Sequence, residues 1–177
     1  MDNQNVSGAD EMERQLRAMM DYIENDVTTV IGVESVNHFK DNFQNEGFDN
    51  QKWESRKTKR IGSTDGQKIL SKSGDLAESI DYRVEGSTVV IYSDLPYAQI
   101  HNEGGKITVT PQMRKYFWAN YYAAKDGGML DIADQYKAMA LAKEITIEQR
   151  QFMGDSPPLL DSISNKIVRD LTRIANS

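Results

Sequence analysis

The sequence contains no cysteine. Disulfides, thiolate metal sites and cysteine nucleophiles are excluded with it, and nothing in the chain asks for an oxidising compartment. Histidine is scarce too, with two in 177 residues. A zinc site draws on three or four protein ligands, and here at most two are declared. No window approaches the length of a membrane span. The opening MDNQNVSGADEMER has neither a basic n-region nor an apolar run, so no signal peptide is expected. None of HExxH, GxSxG, GxxxxGK[ST] or GxGxxG occurs. No zincin, nucleophile elbow or phosphate cradle is therefore announced. No catalytic residue, no metal and no cofactor are expected.

What is present is a polar globular chain. Apolar residues make up 38% and charged residues 27%, which suits one ordinary domain with exposed segments. The net charge of −6 is uneven. Lys52 to Lys72 holds seven basic and two acidic residues, a balance of +5, so the remainder carries −6 − 5 = −11. A basic arm on an acidic body could meet phosphate, with Tyr and Trp stacking beside it, or could simply be a solvated loop.

Periodicity gives the elements. Residues 1–9 read as a flexible tail. Leu16, Met20, Ile23, Val27 and Ile31 recur at helical steps, and Val36, Phe39 and Phe43 continue them to a stop at Gly47. Asn25 and Asp26 mark a bend or break. His38, beside Phe39, reads as a helix-surface residue. A polar loop follows, with Trp53 as its anchor, and SKSGDLAESI gives a short helical turn capped by Ser73 or Asp75. Ile80, Tyr82 and Val84 alternate, turn at Glu85-Gly86-Ser87, and return through Val89 and Ile91. Ile107 and Val109 form a third short strand; Ile145 and Ile147 form a fourth. Between these two lies PQMRKYFWANYYAAK, a helix ringed by aromatics, then Gly127-Gly128 and a weaker helical stretch from Ile132 to Ala142. One monomer face cannot bury Tyr116, Phe117, Trp118, Tyr121 and Tyr122 together, which marks them as a candidate interface. Ser156, Pro157 and the stripe Leu160, Ile163, Ile167, Leu171, Ile174 define a final docking helix. The fold class is α+β. A small antiparallel or mixed sheet of about four strands packs against N- and C-terminal helices, and residues 10–177 form one domain with a helical insertion at 111–143.

The stretch YAQIHNEGG (97–105) concentrates a histidine, a carboxylate and two glycines. His101 and Glu103 lie two apart, so they do not share a helix face. Pro96 can open a helical turn that carries Tyr97, Ile100 and His101 on one side. Asn102 or Gly104 can end it in the left-handed conformation. The stretch reads as a shaped corner feeding the next strand.

Four segments then line up in order: HFKDNFQNEGFDNQKW (38–53), ILSKSGDLAESI (69–80), PYAQIHNEGG (96–105) and RQFMGDS (150–156). Over roughly residues 27–176 this set resembles the phage virion morphogenesis family, the tail-completion proteins. The matching positions are Trp53, Leu70, Gly74, Leu76, Tyr97, Ala98, His101, Gly104, Arg150, Phe152 and Gly154. Gln151 stands where the family usually has proline, Met153 where it has leucine, and the helical insertion after Pro111 is longer than the simplest family pattern. The resemblance implies a non-enzymatic virion component, assembled in the bacterial host cytoplasm. It would act at the tail end or head–tail joint, commonly as a homo-oligomeric ring touching other tail or neck proteins and no membrane. DNA could pass an acidic lumen without specific binding. Two rival readings stand beside it. One is a nucleic-acid-binding accessory protein using the 52–72 arm. The other is an enzyme centred on His101 with Glu103.

Overall fold

The computed structural model describes residues 8–55, 68–71 and 73–177. Most of the basic arm, 56–67 and Lys72, lies outside the described residues, as does 1–7 of the tail. Two compact units share the chain. The first is drawn from Met1–Asp41, Ile80–Ser93 and Asp155–Ser177; the second from Asn42–Ser79 and Asp94–Gly154.

In the first unit, α1 (Gly8–Asn25) already includes the last two residues of the expected tail. It gives way at Asp26 to α2 (Val27–Asn45), whose last turn belongs to the second unit. The helical hydrogen-bond ladder runs past this junction: Asp26 N donates to Tyr22 O and Val30 N to Asp26 O. The hairpin β3 (Ile80–Glu85) and β4 (Thr88–Ser93) pairs in a single antiparallel register, Ile80 with Ser93 through Glu85 with Thr88. Gly86 supplies the positive φ its tight turn requires. Gly32 of α2 lies against this hairpin so closely that a Cβ there would fall 2.2 Å from the Tyr82 ring. The last helix, α7 (Pro157–Ala175), starts as its sequence dictates: Ser156 Oγ accepts from Leu159 N at 3.2 Å and proline occupies the first turn. Leu159 and Ile163 face inward, while Leu160 is exposed.

Helix α1 meets α7 through Tyr22, whose hydroxyl donates to Asp170 at 3.0 Å. Lys166 and Arg173 also pair with that carboxylate, at 3.4 and 3.2 Å. Burial pushes the Asp170 carboxyl up, but the Tyr22 hydroxyl and the two cations outweigh it and hold the group below the usual carboxylate range. Burial, then the Asp170 hydrogen bond and charge, raise the Tyr22 phenol.

In the second unit, a two-residue hairpin, β1 (Gly47–Phe48) with β2 (Gln51–Lys52), follows α2. Asp49 and Asn50 both take positive φ at its turn, as a type I′ turn requires. The left-handed residue ending α2 is Glu46, not Gly47. Its carbonyl accepts from Trp53 N and its carboxylate from Ile69 N. The short helix α3 (Asp75–Glu78) is capped by the left-handed backbone of Gly74, with no side-chain cap from Ser73 or Asp75. After α4 (Ala98–Glu103), β5 (Gly105–Thr108) pairs antiparallel with β6 (Glu144–Ile147), Ile107 opposite Ile145. These two strands are the stem of a helical hairpin, α5 (Pro111–Asp126) and α6 (Leu130–Leu141). Thr110 caps α5, accepting from Met113 N. Arg114 of α5 donates to the Ala140 and Ala142 carbonyls at the end of α6, where a cation is favoured.

The four expected strands form, but not as one sheet of about four strands. Among the described residues there are three separate two-stranded antiparallel sheets. Alternation fixes which residues make a strand; it does not choose the partner strand. Here β5 is satisfied by β6 across the helical hairpin.

Candidate functional site

Parts of three of the four segments that the sequence sets apart meet in the second unit at residues 150–153, which cross the corner as a strap. Arg150 N donates to His101 O at 2.8 Å. Asn102 Oδ1 accepts from both Phe152 N and Met153 N, at 2.8 and 2.9 Å. Asn42 Nδ2 donates to Phe152 O at 3.1 Å, and the Trp53 indole donates to Gln151 O at 2.7 Å. Three separate parts of the chain thus satisfy the backbone of one irregular segment. That segment needs such help, since it belongs to no ladder and Phe152 is fully buried.

Packing reinforces these bonds. Phe43 stacks at an angle on Phe152, centroids 5.0 Å apart, and meets Trp53 edge-on at 5.6 Å. Gly104, with φ near 73°, turns α4 into β5. A Cβ at Gly104 would lie 2.8 Å from Gln149 N, so the backbone approach there admits only glycine. Arg150 reaches back to the Glu54 carbonyl and the Glu148 carboxylate, both at 3.4 Å, with its side chain largely buried.

Of the residues singled out in the sequence, Trp53, His101, Gly104, Arg150 and Phe152 come together here. The His101 ring is half-buried and edge-on to Tyr97 at 6.1 Å. Glu103 is exposed and accepts from Gln99 along the helix. Gly74 and Leu76 do a different job, starting and burying α3. Asn42, Phe43 and Asn102 were missed as members of the site. By its sequence Asn102 can end a helix, whereas it lies inside α4 and spends its side chain on the strap. Nothing in the sequence marks Asn42, which is 5% exposed, because burial is invisible in a sequence. His38, read as a surface residue, is half-buried, with Nε2 3.1 Å from Ser156 Oγ.

The candidate interface divides. Phe117 is a core residue, clustered with Val109, Tyr136 and Ala140, and Trp118 and Tyr121 pack partly against that cluster. Expected as interface, Phe117 is instead spent on α6, because the stretch after Gly128 is a full helix that covers it. Tyr116 and Tyr122 stay exposed, at 58% and 57%. No group of three or more His, Asp or Glu among the described residues could hold a metal ion. No described helix is long and apolar enough to cross a membrane.

The strap defines a class of protein: a small α+β chain in which Trp53, His101, Gly104, Arg150 and Phe152 meet and shape a corner. The chain belongs to the phage virion morphogenesis family, whose model matches residues 7–172. This ties it to phage morphogenesis. No curated protein and no solved structure matches it.

Proposed function

We propose that the chain is a non-enzymatic structural component of the virion that acts at the head-proximal end of the tail or at the head–tail joint, assembled as a homo-oligomeric ring against other tail or neck proteins. The observation that carries this reading is the family match over 7–172. The strap supports it, because Trp53, Gly104, Arg150 and Phe152 are consumed in holding a shape. The exposed Tyr116 and Tyr122 offer contact surface of the kind interfaces favour. An acidic body suits a channel that lets DNA pass, since carboxylates repel phosphate.

Phage particles made without this chain provide the test. Adding the purified protein should restore joining, and images should show an annulus at the head-proximal tail end. A chain that never associates with tails would sink the reading. DNA affinity falling steeply with salt would favour the nucleic-acid alternative. An enzyme centred on His101 would lose turnover on His101→Ala while still assembling.

A further inference from the structure

The apolar stripe of α1 faces outward. Met12, Leu16, Met20 and Ile23 are 62%, 54%, 59% and 54% exposed. Their spacing of four, four and three places them on one helical face. The inward face is a different one, roughly a quarter-turn away. It carries Gln15 and Met19, half-buried, and Tyr22, which is buried against Asp170. The sequence periodicity correctly finds an apolar face, but that face is not the one the first unit buries.

We propose that this stripe pairs antiparallel with the same stripe of a second copy of the chain. The charges along its open rim choose the occupant. Arg17, which also meets the Glu13 carboxylate one turn back, and Glu24 lie on that rim seven residues, two helical turns, apart. In an antiparallel pair centred beside Met20, Met20 packs next to Ile23 of the second copy and Leu16 next to Val27. Arg17 then faces Glu24 of the second copy, and the two-fold axis repeats the pair. A parallel pair would set Arg17 and Glu24 beside Met12 and Met19 and make no ion pair. A lipid surface fits less well. Helices that lie on membranes carry lysine and arginine on the polar face, whereas α1 carries five carboxylates against two arginines.

The contact is small. Four half-exposed side chains per copy fall short of the roughly 1,200–2,000 Å² of a standard interface, so the pairing depends on concentration. It is also isologous. A two-fold contact cannot propagate around a head-to-tail ring, so the pair belongs to the free protein or joins two rings back to back. The proposal shares with the ring reading only the expectation of self-association.

Sedimentation of the full chain across the micromolar range tests it, with circular dichroism confirming that each variant is folded. The wild type should reach a dimer at the upper end, and Leu16→Glu should abolish it. Arg17→Glu and Glu24→Arg should each weaken the dimer about tenfold, because two facing pairs become repulsive. The double variant Arg17→Glu/Glu24→Arg should recover wild-type affinity. A chain that stays monomeric throughout, or a dimer indifferent to Leu16→Glu and the charge exchange, overturns the proposal. A monomer that still forms an annulus on tails would leave the tail-end reading standing while this one falls. A dimer that never joins tails would do the reverse.

Discussion

At the scale of single residues, the strap depends on one side-chain oxygen. Asn102 Oδ1 receives two backbone N–H groups, one from a residue with no exposed surface. Truncation leaves both donors without an acceptor, at about 1–3 kcal/mol for each that stays dry. Asn102→Ala should therefore lose about 2–6 kcal/mol if both stay dry, and the Phe152 and Met153 amides should exchange with solvent faster. Asn102→Asp keeps the acceptor and should retain most of the protection. Unchanged exchange at those two amides in the alanine variant would remove the strap from the argument. Gly32 sets two magnitudes against each other. Alanine in a helix gains up to about 1 kcal/mol over glycine, but a Cβ 2.2 Å from the Tyr82 ring must displace a whole ring, at about 1–3 kcal/mol. Gly32→Ala should be net destabilising in a denaturant titration. Combined with Tyr82→Ala it should cost less than the sum of the two changes.

At the scale of elements, the local signals were readable and the pairings were not. The starts of α5 and α7 follow from Pro111 and Ser156-Pro157, the hairpin β3–β4 from alternation around Gly86, and the break at Asp26 from poor helix formers. No residue in the stretch declares that Ile107 meets Ile145 rather than a strand of the other hairpin. Nor does periodicity declare that α1 turns Tyr22 inward and leaves Leu16 out, since that choice depends on an aspartate 148 residues away. The same contact gives a pH dependence. Asp170 has a lowered pKa in the folded chain, so its contribution is complete above the unfolded value of about 3.9 and is lost as pH falls through the lower folded value. Tyr22 has a raised pKa, so its contribution is complete below about 10 and is lost as pH rises through the folded value. Stability measured by circular dichroism should thus decline at both ends. Asp170→Asn should flatten the acid decline below about pH 4, where the unfolded chain takes up a proton at Asp170 that the folded chain resists. An acid limb unchanged in Asp170→Asn would mean that other carboxylates carry it.

At the scale of the whole molecule, the question is where the remaining apolar surface goes. The aromatic helix α5 carries more ring area than its hairpin with α6 hides. Phe117 is taken into the core and Tyr121 lies beneath Lys125, its ring centroid 5.9 Å from the ammonium. Tyr116 and Tyr122 remain, each more than half exposed. Surface residues outside caps, cores and strained turns change stability by little, usually within about 0.5 kcal/mol. If these two tyrosines were only solvated surface, replacing both would alter neither folding nor assembly. If they contact a neighbour, their loss removes buried aromatic area from every copy of the joint, and a closed ring multiplies that loss by the number of its interfaces. Tyr116→Ser/Tyr122→Ser should therefore unfold at nearly the wild-type denaturant concentration yet join tails and heads poorly when added to particles lacking the chain. Phe117→Ser should instead destabilise the α5–α6 hairpin itself, because it opens a cavity between Val109 and Tyr136. The contrast between these variants separates surface that partners use from surface that the fold uses. Normal joining by the double tyrosine variant would move the interface elsewhere on the molecule.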